Sequence, residues 1–279
     1  MTDVKWILKG GKVLGPAPFL IAGIVNVTPD SFYDGGEHAD ATAGISHGLE
    51  LARQGATILD VGGESTRPYA DPVSEAQELD RVIPVIKGLV ESQQDAVVSV
   101  DTYKAKVAAE ALEAGADILN DVSAFAFEPE LLDVISQYKP GYVLMHSLGK
   151  PEEMQDAPRY GDVVGEIKQF FEAKLEVLDK AGLPLDRVVL DPGIGFGKLL
   201  GHNLAILKDI HKFFDLGCPI YMGLSNKSLW QGLLGLEVGE RQNATQAATA
   251  ILAAKGVLIH RVHDVQFSMQ SLTIARELA

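Results

Sequence analysis

At eight places in this 279-residue chain a short apolar run leads directly to an amide, a carboxylate or a base. These are Asn26, Asp60 with Glu64 and Arg67, Asp101, Asn120, His146, Asp191, Asn226 with Lys227, and Arg261 with His263. Taken singly, each is open to a plain structural reading, because Asp and Asn are ordinary loop and helix-cap residues. As a set they divide by chemistry. Asp101, Asn120, Asp191 and Lys227 suit a deep pocket for a flat heterocycle that offers adjacent N–H donors and a carbonyl. A carboxylate accepts two parallel N–H bonds from such an edge, and Lys227 can donate to the carbonyl. Bonds of this charged kind contribute roughly 1.5–3 kcal/mol each, and a ring lacking the donors leaves a buried carboxylate unpaired, which gives discrimination. For Asp101 the competing reading is a cap on a helix that starts near Lys104.

The second group is Arg261 and His263 with Asn26, Arg67 and His260, and its chemistry is that of an anion site. Arg261 and His263 are two apart and share a face if their strand continues that far. Arg grips phosphate through two parallel bonds, and His adds a titratable donor. Asn26 offers an oxygen to a hard cation such as Mg2+, which keeps most of its waters and often rides on substrate phosphates. Other chemistries lack their patterns. No G-x-G-x-x-G occurs, the glycines of Asp191-Pro192-Gly193-Ile194-Gly195-Phe196-Gly197-Lys198 miss the P-loop spacing, and there is no H-E-x-x-H. Ser65, Ser225 and Ser228 read as turn and cap residues, and His202 and His211 as surface helix residues. The reaction that fits is substitution without a covalent enzyme intermediate: a diphosphate leaves, assisted by a cation and Arg, and a second substrate attacks.

These residues need elements to aim them. A phrase repeated three times supplies the clue: a helical stretch bearing alanines, then a glycine, a short apolar run and a polar end. The copies run through Gly55 to Asp60, Gly115 to Asn120 and Gly256 to Arg261. A helix ended by a glycine that tolerates positive φ, followed by a strand buried on both faces, belongs to a parallel α/β sheet. Strands are predicted near 20–26, 57–61, 97–101, 117–120, 142–146, 187–191, 219–223 and 257–261, with helical patterns between them. Eight such units make a (β/α)8 TIM barrel over residues 1–279 as a single domain, whose strand ends converge on one mouth. Residues 1–16 are predicted as an N-terminal β-hairpin with a two-residue Gly10-Gly11 turn, plugging the barrel bottom. One helix is expected over 162–180, and another over 75–91 after Ser74, kinked or divided at Pro84. An open doubly wound sheet is the alternative, and it would more often carry a glycine-rich dinucleotide loop.

Composition narrows the partners. With 47% apolar and 22% charged residues the chain can bury a full core. A net charge of −14 argues against nucleic acid but leaves room for a small anion held by a few convergent bases. The longest apolar run, 19–25, is too short to span a membrane, and the opening residues lack a leader pattern, so a cytoplasmic protein is expected. The single cysteine, Cys218, reads as a buried strand thiol and excludes an internal disulfide.

Several of these stretches together resemble the dihydropteroate synthases. Gly23-Ile24-Val25-Asn26-Val27-Thr28-Pro29-Asp30-Ser31-Phe32, with Asp34-Gly35-Gly36 following, resembles the family's first signature, and Asp60-Val61-Gly62-Gly63-Glu64-Ser65-Thr66-Arg67-Pro68 its second. The likeness continues through Ser99-Val100-Asp101-Thr102, Asn120-Asp121-Val122, Met145-His146, Asp191 to Lys198, Ser225-Asn226-Lys227-Ser228 and Arg261 to Val265, nearly the whole chain in order. The resemblance implies a transferase of folate biosynthesis that condenses 6-hydroxymethyl-7,8-dihydropterin diphosphate with p-aminobenzoate, working as a homodimer with Mg2+. It implies that Asp101, Asn120, Met145, Asp191 and Lys227 hold the pterin, and that Asn26, Arg261 and His263 hold the diphosphate, Asn26 with the metal. Thr66, Arg67, Pro68, Phe196, Lys227 and Ser228 would form the p-aminobenzoate slot, and Asp101, Lys227, Arg67 and Asp34 would carry catalysis by a dissociative route. Asp60 has no implied role beyond bracing the second loop. The chain departs from the family pattern at Asn226, where Arg is usual before the pocket lysine, at Tyr33, at Tyr69-Ala70-Asp71, and in Ser147 to Pro151. Two other readings stand beside this one. A corrinoid-linked methyltransferase would share the pterin barrel but leaves Arg261 and His263 unexplained, and a silent pterin-binding protein would be one weakened at Asn226.

Overall fold

A computed structural model of the chain describes residues 3–28, 37–65, 72–92, 95–149, 154–155 and 158–279, with the backbone alone for 37–40. It opens with an antiparallel hairpin, β1 (Val4–Ile7) and β2 (Val13–Ala17). Eight parallel strands follow: β3 (Leu20–Asn26), β4 (Ile58–Gly62), β5 (Val97–Asp101), β6 (Ile118–Asp121), β7 (Gly141–Met145), β8 (Val188–Asp191), β9 (Tyr221–Gly223) and β10 (Ile259–Val262). They pair in the order β8-β7-β6-β5-β4-β3-β10-β9, and a bridge between Leu190 and Ile220 brings the two ends together into a nearly closed barrel. The helices between them are α1 (Glu37–Arg53), α2 (Glu75–Glu91), α3 (Ala105–Glu113), α4 (Leu131–Tyr138), α5 (Val163–Lys180), α6 (Leu200–Lys208), α7 (Leu229–Leu234), α8 (Gln242–Ala254) and α9 (Val265–Leu278). Gly55, Gly115 and Gly256, one in each copy of the repeated phrase, have φ of +108°, +114° and +99°, which is why glycine stands where a helix must turn directly into a strand.

Period-two alternation turns each strand into a code for the whole barrel. Ile58, Val97, Ile118, Val143, Val189, Tyr221 and Ile259 cluster with Leu20 and with Val4, Trp6 and Leu8 of the hairpin. Intervening residues such as Leu59, Val98, Leu119, Leu144 and Leu190 belong instead to the outer layer, packed against the helices. Two residues beyond the inner apolar layer come Asp60, Ser99, Asn120, Met145, Asp191 and Arg261. Inside the barrel, one apolar storey therefore carries one functional storey.

Three local readings are corrected. The hairpin connection is not a two-residue turn: pairing stops at Ile7–Val13, and residues 8–12 make a wider loop with a 3-10 turn over Lys9–Gly11. Leu8 is fully buried in the bottom cluster, so the chain dips into the barrel before it returns. Pro84 does not divide α2, which runs unbroken behind a capping box between Ser74 and Gln77 and buries Val82, Val85, Ile86 and Leu89. That buried face on both sides of the proline outweighs the one backbone bond it removes. The strands also sit about a residue later than predicted at 118–121, 188–191 and 259–262, and β9 is only three residues long.

Candidate active site

Arg261 organises the mouth of the barrel. Its Nε donates to Asp60 Oδ2 at 2.6 Å and its Nη2 to Asp101 Oδ2 at 2.6 Å, so one guanidinium bridges two carboxylates from neighbouring strands. Asp60 Oδ2 also accepts from Asn120 Nδ2 at 3.0 Å. The other oxygens, Asp60 Oδ1 and Asp101 Oδ1, are buried with no hydrogen-bond partner among the described residues. An unpaired buried acceptor is costly, and two of them around one guanidinium suit a ligand that brings N–H groups. Burial pushes the Asp101 carboxyl up to about 7, against the pull of Arg261 and with help from Asp60 and Glu78. Burial also works against the charge of Arg261, but Asp60 and Asp101 outweigh it and hold the guanidinium more firmly charged than usual.

This arrangement changes three sequence readings. Asp101 does not cap a helix: α3 begins after Lys104, without a side-chain cap, and the carboxylate faces Arg261. Asp60 is not merely a brace for the second loop, because it is 0% exposed and joins Arg261 to Asn120. His260 stands apart from the anion group. It lies on the opposite face of β10 from Arg261, buried, with Nε2 at 3.0 Å from Val257 O.

On the far side of the mouth Asp191 is buried, and its Oδ1 accepts from Gly193 N at 2.7 Å. Burial raises its carboxyl, with that N–H, Lys227, Lys198 and Arg261 pulling the other way. Lys227 stands with Nζ 4.2 Å from the centre of the Phe196 ring, a cation–π contact. Burial brings its ammonium down to about 8, opposed by Asp191. Phe196 and Met145 share a small apolar cluster with Val122 and Met154. His263 Nδ1 lies 2.9 Å from Ser225 Oγ, which ties the end of β10 to the turn after β9. Asn226 in that turn has φ +59°, and its carbonyl accepts from Arg241 Nη1 at 2.9 Å. Ser228, exposed, immediately precedes α7. Asn26 ends β3, paired with Gly62. Asp34, Thr66, Arg67 and Pro68 lie outside the described residues, as do Tyr33 and Tyr69 to Asp71.

Two buried polar clusters involve strand-end candidates, Glu64 and His146, whose partners had no signal in the sequence. Lys104 sits between Glu64 and Glu78, while Tyr103 Oη donates to Glu64 Oε1 at 3.0 Å. Burial lowers the Lys104 ammonium, but the two carboxylates more than restore it. Glu64 thus fixes the first residues after β4, where Arg81 also holds Gly63 O at 2.8 Å. His146, a strand-end candidate, is buried beside Lys198, which accounts for its polarity without a ligand. What hid these contacts is sequence distance, since Lys104 and Glu64 are forty positions apart.

A parallel barrel whose strand ends present buried acceptors, a bridging Arg and a stacked Lys defines a small-molecule enzyme of the pterin-binding class. The family described as pterin binding enzymes matches residues 22–263. A dihydropteroate synthase from Synechocystis is 41% identical over 259 residues, covering 92% of this chain and 89% of its own. Two structures of the Xanthomonas albilineans dihydropteroate synthase are also similar. One holds 4-aminobenzoic acid, with 41% identity, a TM-score of 0.91 and coverage of 99% of this chain and 98% of that one. The other is in complex with 7,8-dihydropteroate, with 38% identity, a TM-score of 0.88 and the same coverage, 99% and 98%. The chain belongs to the dihydropteroate synthase family and is a transferase.

Proposed function

We propose that this site condenses 6-hydroxymethyl-7,8-dihydropterin diphosphate with p-aminobenzoate by a dissociative substitution, with the pterin seated against Asp101, Asn120, Asp191 and Lys227. The observation that carries this reading is the pair of buried, unpartnered oxygens, Asp60 Oδ1 and Asp101 Oδ1, on either side of Arg261. Buried acceptors of this kind suit the N–H donors of a pterin edge, with Asp101 the one at the pocket and Asp60 behind it, and the related Xanthomonas albilineans structure holds the corresponding product. Met145 closes the apolar side of the ring. A guanidinium has five N–H donors, and two of Arg261's are engaged with carboxylates. The remaining three have no partner among the described residues and would serve the diphosphate, with His263 just after β10 and Asn26 at the end of β3, so Arg261 serves both substrate ends.

The C–O bond to the diphosphate breaks first, and the electron pair leaves with it. The positive charge left on the exocyclic carbon and ring is stabilised by the Asp101 carboxylate. The aniline nitrogen then attacks that carbon and loses its proton, and no enzyme atom becomes bonded to substrate. Phe196, Lys227, Ser228 and the stretch Thr66-Arg67-Pro68 form the p-aminobenzoate slot, while Arg67 and Asp34 act from the two loops. Among the described residues no cluster of His, Cys, Asp or Glu could hold a metal by itself. Mg2+ would come as a partner of the substrate's diphosphate, with Asn26 offering one oxygen, and there it would neutralise charge on the leaving group. We read the enzyme as a cytoplasmic homodimer, on the family resemblance. No helix among the described residues is long and apolar enough to cross a membrane.

Calorimetric titration tests the seating directly. Lys227→Ala and Asp191→Ala should each abolish binding of 6-hydroxymethylpterin, while Arg261→Ala should weaken the diphosphate substrate more than the free pterin. Unchanged binding in all three variants would sink the assignment. Product formation that requires a cobamide protein, or pterin binding with no condensation at any p-aminobenzoate concentration, would favour the methyltransferase or the silent binder instead.

A further inference from the structure

Lys198 is 3% exposed, and its nitrogen is shared by two loops. Nζ lies 2.9 Å from His146 Nδ1 and donates to His146 O at 3.2 Å and to Phe196 O at 2.9 Å. As an ammonium it thus meets three neutral acceptors, and no carboxylate among the described residues is within ion-pair reach of it; burial, with Lys227, brings it down to about 7, against the pull of Asp191. His146 belongs to the loop leaving β7 and Phe196 to the loop leaving β8. These loops lie flush: a Cβ on Gly193 would fall 2.0 Å from His146 O, and one on Gly197 would fall 2.5 Å from Leu148 Cβ. The imidazole is itself held, edge-on to Phe170 at 4.8 Å. Phe196, at the tip of the clamped loop, carries the ring beneath Lys227 Nζ, and a Cβ on Gly195 would fall 3.5 Å from Lys227 Cδ.

A buried ammonium on neutral acceptors is an expensive way to fill space, since an apolar side chain of the same length would do so without desolvating a charge. What the ammonium adds is direction: it fixes two carbonyls and one imidazole nitrogen at once. We propose that Lys198 and His146 are positioning residues for the second substrate, clamping the β7 and β8 loops so that Phe196 and Lys227 stack where p-aminobenzoate enters. The inference rests on the slot assigned to Phe196 and Lys227 above. An ammonium donor at Nδ1 requires a neutral ring with its proton on Nε2, and burial together with Lys198 does bring the His146 imidazole down to about 3.

Steady-state kinetics of Lys198→Met, with both substrates varied, tests it. The clamp requires the Michaelis constant for p-aminobenzoate to rise about tenfold or more, with that for the pterin diphosphate within about twofold of the parent. An unchanged p-aminobenzoate constant, or equal rises in both, overturns it. Nitrogen NMR of the parent protein gives a reading that survives a variant which fails to fold: the His146 signals should report an unprotonated, accepting Nδ1, and a proton on Nδ1 overturns the clamp. Phe196→Ala separates the two claims. If it too leaves the p-aminobenzoate constant unchanged, the slot assignment falls and the clamp with it. If it raises the constant while Lys198→Met does not, only the clamp falls.

Discussion

With the pterin seated as proposed, Asp101 and Lys227 meet one ligand with opposite needs. The Asp101 carboxyl, raised by burial to about 7, must be ionised to accept two N–H bonds from a pterin edge. Lys227, lowered by burial to about 8, must keep its proton to donate to the ring carbonyl. Below the first value the free protein holds a protonated Asp101, and binding must deprotonate it; above the second, binding must protonate Lys227. Affinity for 6-hydroxymethylpterin, which lacks the titrating diphosphate, should therefore be greatest between about pH 7 and about pH 8 and fall on either side. Calorimetry from about pH 5 to about pH 10 measures this, and Asp101→Asn should flatten the acid side while weakening binding throughout. An acid limb that persists in Asp101→Asn would assign that proton to another group. Arg261 explains why the carboxyl is not raised further, since its guanidinium contacts Asp101 and Asp60 together.

At the level of elements, the turn after β9 shows how a local conformation constrains a functional departure. The family pattern has Arg before the pocket lysine, whereas this chain has Asn226 at φ +59°. Asn tolerates the left-handed region better than other residues with a Cβ, so the residue type fits the turn independently of charge. Arg241, buried, reaches the carbonyl of Asn226 from the start of α8 and places a cation against the turn from behind. Asn226→Arg should lower the Michaelis constant for p-aminobenzoate if a charge at this position serves the second substrate, and it should cost up to about 1 kcal/mol of stability for the strained φ. Kinetics and denaturant unfolding of the same variant read both effects, and an unchanged Michaelis constant removes the charge from the account. The strands and their inward polar ends were legible in the sequence because each is a short apolar run with a polar end, and β4, β6 and β10 are each announced by a helix-ending glycine. The partnerships were not. Arg261 meets Asp60 across 201 positions, and nothing near either residue names the other. Local pattern also misplaced the turn at Gly10-Gly11, because the burial of Leu8 beneath the barrel is a tertiary fact.

On the scale of the whole molecule, the barrel interior separates what folds the chain from what it does. Trp6 and Leu8 close the amino ends of the strands, and Trp6 Nε1 donates to Arg187 O at 2.7 Å just before β8 begins. Polar residues lie one storey above, where the proposed ligand would sit, at the carboxyl ends of the strands that serve catalysis in such barrels. If the two ends are independent, a large defect at the bottom should lower stability without changing recognition at the top. Trp6→Ala leaves a cavity in the bottom layer and strands a backbone carbonyl, for a cost of about 3–5 kcal/mol. Denaturant titration should show that loss as an earlier midpoint with little change in slope. At a temperature where the variant remains folded, its Michaelis constants for both substrates should match the parent's. Parallel loss of stability and substrate affinity would show instead that the apolar storey sets the spacing of Asp60, Asp101 and Arg261, and that the barrel transmits strain along its strands.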